Sequence, residues 1–247
     1  VKSIFSNLKR LDVYIHYIIA LCGGFFGMYA ITSRMGNFGQ AQTANLIEVV
    51  RNILGKNMSE GVFRIVAALL FMSGIISATI MERKTKIDLR YFSISFDLIA
   101  AILIGFFPLS MNPVVALYPV FFATAFQWCI FKGAKGYPSA TVFCTNNLKQ
   151  ATISIIDYFL LSQGNPERRE KIEKAKLYGG TCVNFYLGVL ISYLLWRFYG
   201  VHSIWFITLP LLINFVLVVL DSKRHAFYLN VEKNAVHENL SYDTTKL

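Results

Sequence analysis

The chain has 247 residues, of which 55% are hydrophobic and 15% charged, with a formal net charge of +10 at pH 7. Soluble domains average roughly 45–50% apolar and about 25% charged residues, so this composition excludes an ordinary soluble domain, and the length fits one compact membrane domain. The basic residues lie in short stretches between apolar runs, without an aromatic-basic strand pattern or a helix-turn-helix signature; membrane topology accounts for them and a nucleic-acid partner is not expected.

A bilayer core of roughly 30 Å takes about 20 mostly apolar residues of helix. Six runs meet that length, covering residues 13–32, 62–81, 92–109, 113–131, 177–198 and 204–220. The first follows Lys2, Lys9 and Arg10 and lacks a convincing cleavage site, so it reads as an anchor. Two further segments, 37–54 and 139–161, have apolar spacing on one helical side but are too polar to face lipid all round. They read as motif helices that span, re-enter or lie at the interface. Residues 221–247 read as a polar, partly disordered cytoplasmic extension.

Loop charge sets the expected topology. Arg83, Lys84, Lys86 and Arg90 separate the second and third spans, Lys132 and Lys135 follow the fourth, and Arg168, Arg169, Lys171, Lys174 and Lys176 precede the fifth. Six spans with both termini cytoplasmic put all of these inside. Arg34, Arg51, Lys56 and Arg64 then lie in the first external stretch, against the rule.

The two polar segments resemble each other. Gln42-Thr43-Ala44-Asn45-Leu46 matches Cys144-Thr145-Asn146-Asn147-Leu148, and each precedes a span with a central glycine, Gly74 or Gly188. The chain therefore reads as all-α and polytopic, with two units of three spans and one motif helix, at about 10–110 and 112–220. An odd span number inverts the second unit against the first, an arrangement found in many transporters whose sites lie at the repeat interface.

At these residues the sequence resembles the YoaK family of bacterial membrane proteins, the domain of unknown function 1275. The family's Gly-x-x-Asp pattern falls on Gly24-Phe25-Phe26-Gly27, without the acidic residue. Its Thr-Gly-Asn motif falls on Thr43-Ala44-Asn45, its Gly-x-Gln-Asn pattern on Thr124-Ala125-Phe126-Gln127-Trp128, and its second motif on Thr145-Asn146-Asn147, preceded by Thr141. The resemblance implies a divergent member in a bacterial inner membrane and carries no settled biochemical function.

Positions three or four apart share a helix face, so Gln42, Asn45, Glu48 and Asn52 form one polar stripe and Asn147, Gln150, Ser154 and Asp157 another. Carboxamides both donate and accept hydrogen bonds, and two such stripes meeting near the centre would replace a small solute's hydration shell. The expected site comprises Gln42, Thr43, Asn45, Glu48, Gln127, Thr141, Thr145, Asn147 and Gln150. Glu48 and Asp97 are the candidates for ion coupling, although Asp97 also reads as a residue paired with Lys84, Lys86 or Arg90. Asn184 and Asn214 read as interhelical glue, His16 as interfacial, and Gly24, Gly27 and Gly74 as positions of close helix packing. Cys22, Cys129, Cys144 and Cys182 show no CxxC spacing, the histidines form no HExxH, and no GxxxxGK[ST] loop occurs. The expected function is movement of a small polar solute or ion, with no enzymatic step, metal or cofactor; a homo-oligomer is compatible with it. The rivals are a membrane protein that binds a partner or lipid, and an intramembrane lipid enzyme.

Overall fold

The computed structural model describes the backbone of residues 2–37 and 40–244, and side chains over 11–37 and 40–227. Its order is α1 (Lys2–Ser33), α2 (Gln42–Leu54), α3 (Met58–Lys84), α4 (Arg90–Phe106), a 3-10 turn (Val115–Leu117), α5 (Tyr118–Ile130), α6 (Thr145–Leu160), α7 (Glu167–Tyr199), a 3-10 segment (Gly200–Ile207) and α8 (Thr208–Thr244). A hairpin of two-residue strands, β1 (Gly133–Ala134) and β2 (Tyr137–Pro138), follows α5. α8 continues as helix well past the expected start of the tail at residue 221; the side chains of 228–247 lie outside the described residues.

The six apolar runs fall on α1, α3, α4, α5, α7 and α8. By length and composition, three stretches of the described residues qualify as membrane-crossing: Leu11–Ser33, Met58–Lys84 and Glu167–Phe227, the last holding both α7 and α8. α5 is apolar but shorter. Helix is the conformation that lets each segment satisfy its own backbone where no water is present.

Two sets of polar contacts define the ends of the bundle. At one, Tyr118 donates to the Phe63 carbonyl and Asn112 to Glu60. There the buried Arg34 guanidinium donates to the carbonyls of Pro108, Phe107 and Ile104, at 3.1, 3.0 and 3.3 Å. The last carbonyls of a helix have no intrahelical donor and carry its negative pole, so Arg34 closes the end of α4. At the other end Arg90 bridges Asp88 at 2.7 Å and Asp221 at 2.6 Å, Lys132 pairs with Glu82, and Tyr17 donates to the Lys176 carbonyl. α1, α4 and α7 run from the Arg90 end to the Arg34 end, and α3, α5 and α8 run back.

Glycine decides how closely the helices cross. α1 lies on α7, with Gly24 against the Phe185 carbonyl and Gly188 against the Leu21 carbonyl; a Cβ at either would overlap that oxygen. α3 lies on α5 in the same manner, a Cβ at Gly74 meeting the Phe122 carbonyl at 2.5 Å. Water-driven collapse does not hold helices together in lipid, so this backbone approach supplies the van der Waals contact.

Two measurements test these features. Gly188→Ala should destabilise the protein by about 1–3 kcal/mol, the usual cost of overpacking, read as a lower thermal midpoint in detergent. Gly179→Ala, where no neighbour lies within 4 Å, should leave the midpoint unchanged or raise it. At the Arg90 end, burial pushes the Asp88 carboxyl up, but hydrogen bonds from Arg90 and Ser222 and the Arg90 charge together outweigh it and hold the group below its ordinary value. A group lowered on folding contributes stability above its unfolded value, lost as pH falls through its folded one. Asp88→Asn should therefore remove part of the acid-side decline in the midpoint.

Candidate functional site

The polar loop before each motif helix carries the central contacts. After α1 the chain turns through Met35 and Gly36, both in left-handed conformation at φ 53° and 75°. Gln40 lies back beside α1, where its Nε2 donates to the Gly23 carbonyl at 2.8 Å. Gly23 lies about 15 Å inward from the α1 terminus at 1.5 Å per residue, so the loop penetrates deep into the bundle from the Arg34 end. α2 then leads back outward. With 13 residues it is about 20 Å long, too short to span.

The same construction occurs at the Arg90 end. After α5, Lys135 and Gly136 repeat the left-handed pair, at φ 54° and 81°, as the turn of the β1–β2 hairpin. Residues 139–144 then run inward without helix. The Thr141 carbonyl occupies the space that a Cβ on Gly23 would need. Its hydroxyl accepts from the Gln127 Nε2 at 2.9 Å, and that nitrogen also lies 3.5 Å from the Ile19 carbonyl. Gln40 and Thr141, arriving from opposite ends, thus meet at one glycine of α1.

Asn147 holds the second loop in place. Its Nδ2 donates to the Ala140 and Phe143 carbonyls at 2.6 and 3.3 Å, and its Oδ1 accepts from the Ser139 hydroxyl and the Ala140 amide at 3.1 and 3.3 Å. Asn45 is its counterpart on α2. It donates to the Gln42 Oε1 and the Arg64 carbonyl at 3.3 and 3.1 Å, while the Arg64 guanidinium reaches Asn37 at 2.7 Å. Both asparagines satisfy irregular backbone or the neighbouring helix, as non-helical backbone at membrane depth requires.

Each loop borders a cavity. One of about 340 Å³ at the Arg34 end is lined by Asn37, Asn45, Glu48, Arg51, Arg64 and Phe121. One of about 430 Å³ near the Arg90 end is lined by Trp128, Lys132, Ser139, Phe143 and Asn146, among others. Glu48 sits in the first, paired with Arg51 at 2.6 Å and at 4.0 Å from Arg64.

The expected site residues therefore divide. Gln127 and Thr141 are joined and fully buried; Gln42, Asn45 and Glu48 gather at one cavity; Asn147 organises the other loop. Thr43 and Thr145 are exposed and Gln150 is half-buried. The two motif helices were expected to meet through their polar stripes. Instead α2 packs on α3 and α6 on α7, and the central meeting is made by the loops ahead of them. Asp97 lies apart on α4; neither of its oxygens has a partner, so it pairs with none of Lys84, Lys86 and Arg90, and Arg90 instead binds Asp88 and Asp221. Sequence reasoning missed Gln40, Gly23 and Ser139; the one available signal was Gln40, a polar residue at the start of an otherwise amphipathic run.

Apolar helices of crossing length, enclosing polar non-helical loops, define a multi-pass α-helical membrane protein. A family profile described as "Protein of unknown function (DUF1275)" matches residues 15–217. The chain belongs to that family. No curated protein and no solved structure matches it.

The asparagines are open to a direct test. Asn147→Ala leaves the Ala140 amide and the Ala140 and Phe143 carbonyls without this partner, at a cost of about 1–3 kcal/mol for each group left unsatisfied, while the Ser139 hydroxyl keeps Thr181. The thermal midpoint should fall further for Asn147→Ala, which gives up four hydrogen bonds beside the buried Ser139, than for Asn45→Ala, whose Nδ2 makes two.

Proposed function

We propose that this protein moves a small polar solute across the membrane, along a path between the Asn45 cavity and the Ser139 cavity past Gly23. The observation that carries the reading is the meeting of two polar loops, entering from opposite ends, at the middle of α1. Irregular backbone at this depth is tolerated where it is buried in protein or lines a cavity, and broken segments of this kind build many transporter sites.

The inverted repeat is part of the proposal. Gly188 approaches Leu21 and Phe25, and Gly74 approaches Phe122 and Phe126. The same sequence interval separates Leu21 from Phe122, Phe25 from Phe126, and Gln40 from Thr141. α1 packs on α7 and α8 as α5 packs on α3 and α4, and α5, α3 and α4 run opposite to their counterparts α1, α7 and α8. These correspondences support two copies of one unit, inverted, with the path along their interface.

The Gln40 and Gln127 side-chain oxygens are buried and lack hydrogen-bond partners. A buried unpartnered acceptor is costly, and a solute that donates hydrogen bonds would satisfy both. The reading assigns no catalytic step.

We place both termini and the Arg90 end in the cytoplasm. The basic loop clusters lie at that end. Of the four basic residues that count against this topology, Arg34 caps α4, Arg51 pairs with Glu48 and Arg64 pairs with Glu60 at 3.3 Å.

The test uses Ala44→Cys and Asn146→Cys, each in a background without Cys22, Cys129, Cys144 and Cys182, labelled by an impermeant thiol reagent in vesicles of known sidedness. The expected outcome is labelling of the two positions from opposite sides. In proteoliposomes, uptake of urea or glycerol should fall on Gly23→Val, which drives a side chain into the Thr141 carbonyl. Labelling from a single side, or solute uptake no faster than in empty liposomes for a panel of small polar solutes, overturns the reading.

A further inference from the structure

Asp97 is fully buried on α4, and neither carboxyl oxygen has a hydrogen-bond partner. It is not alone. Ser93, one turn nearer the Arg90 end, is fully buried with its hydroxyl unpartnered, and Asn214 of α8 is fully buried with both amide atoms unpartnered. Asn214 therefore does not act as the interhelical glue expected of it, whereas Asn184 bonds within its own helix, to the Gly180 carbonyl.

The antiparallel register of α4 on α8 brings these groups to one level. Arg90 meets Asp221 at 2.6 Å at one end, and Trp205 meets Phe106, with ring centroids 5.1 Å apart, at the other. Asp97 and Asn214 each lie seven residues inward from the Arg90–Asp221 pair, about 10 Å deep at 1.5 Å per residue. Arg90, Ser93 and Asp97 share one face of α4, spaced three and four apart, so a polar stripe leads from the charged Arg90 end inward to the carboxyl.

We propose that Asp97, with Asn214 and Ser93, forms an intramembrane proton-binding site reached from the Arg90 end. A carboxyl sealed among helices with neither a cation nor a donor has no compensating partner for a fixed charge. A group that takes up and gives back a proton accounts for its presence there, and the Ser93 hydroxyl stands on the route between it and the surface. The proton adds to one carboxylate oxygen to make the neutral acid, and leaves from the same oxygen. A transition-metal ion, which takes His, Cys or clustered carboxylate ligands, fits less well, because among the described residues no group of three or more His, Cys, Asp or Glu side chains comes together; sodium is the rival that the experiment separates.

The surrounding titratable groups are few. α1 contributes Cys22, within electrostatic reach of Asp97, and farther toward the Arg90 end His16, which is buried with both nitrogens unpartnered rather than interfacial. From α8 comes Asp221, engaged with Arg90. α5 presents the Phe122 and Phe126 rings to Phe96, and the 3-10 segment before α8 presents His202 and Trp205 at the far end. Cys22 immediately precedes Gly23, the residue of α1 at the loop crossing. The proton site stands on its own observations and holds whether or not a solute passes Gly23.

The experiment is infrared difference spectroscopy of the full chain in lipid nanodiscs, between acidic and alkaline buffer. Wild type should show the carbonyl stretch of a protonated carboxylic acid appearing and disappearing with pH. Asp97→Asn should lack that band while keeping the wild-type melting profile. Asp97→Glu should keep the band at a displaced frequency, and it carries the test if Asp97→Asn does not fold. Identical difference spectra in wild type and in a folded Asp97 variant overturn the proposal. So does a band that responds to sodium at constant pH and not to pH itself.

Discussion

Everything at the centre of this protein depends on finding partners for backbone groups that helices do not satisfy. Two loops enter a bundle whose outer surface is apolar, and an unpartnered amide or carbonyl at that depth costs several kcal/mol. Asn147 meets this need with four hydrogen bonds to a loop that has no secondary structure of its own. Gln40 reaches the Gly23 carbonyl and Gln127 reaches Thr141. Arg34 does the same for the frayed end of α4, where a cation also meets the negative pole of the helix.

Those loops have room because glycines let the long helices cross at backbone contact. Gly24 and Gly188 bring α1 and α7 together without side chains between them, and Gly74 does this for α3 and α5. Gly23 is the next position along α1, and its missing side chain admits Thr141. A single run of small residues thus serves helix packing on one side and loop insertion on the other.

Charge is separated by depth in the same economical way. At the Arg90 end Asp88, Arg90, Asp221 and Ser222 form a network of ion pairs and hydrogen bonds. One to two turns inward, Ser93, Asp97 and Asn214 have no such partners. The same fold that gives the irregular backbone of its second loop four hydrogen bonds from Asn147 leaves the Asp97 carboxyl with none.

The continuation of α8 past residue 221 was not legible in the residues alone, whereas the apolar helices, the membrane setting and the family were. Composition and run length carry those, because each apolar segment responds to lipid through its own residues. The polar motifs were visible too, and Gln127 and Thr141 stood out as candidates before any contact was known. Tertiary structure alone decided what the motifs do. Whether Asn45 and Asn147 face a solute or hold a loop depends on which carbonyls lie within 3 Å or so of the side chain, and that follows from chain reversals at Met35–Gly36 and Lys135–Gly136. Gln40 carried no helical spacing to mark it, since its role comes from a loop folding back along α1. Asp97 looked able to pair with Arg90, and only the register of α4 on α8 shows that Asp221 takes that partner and leaves the carboxyl buried alone.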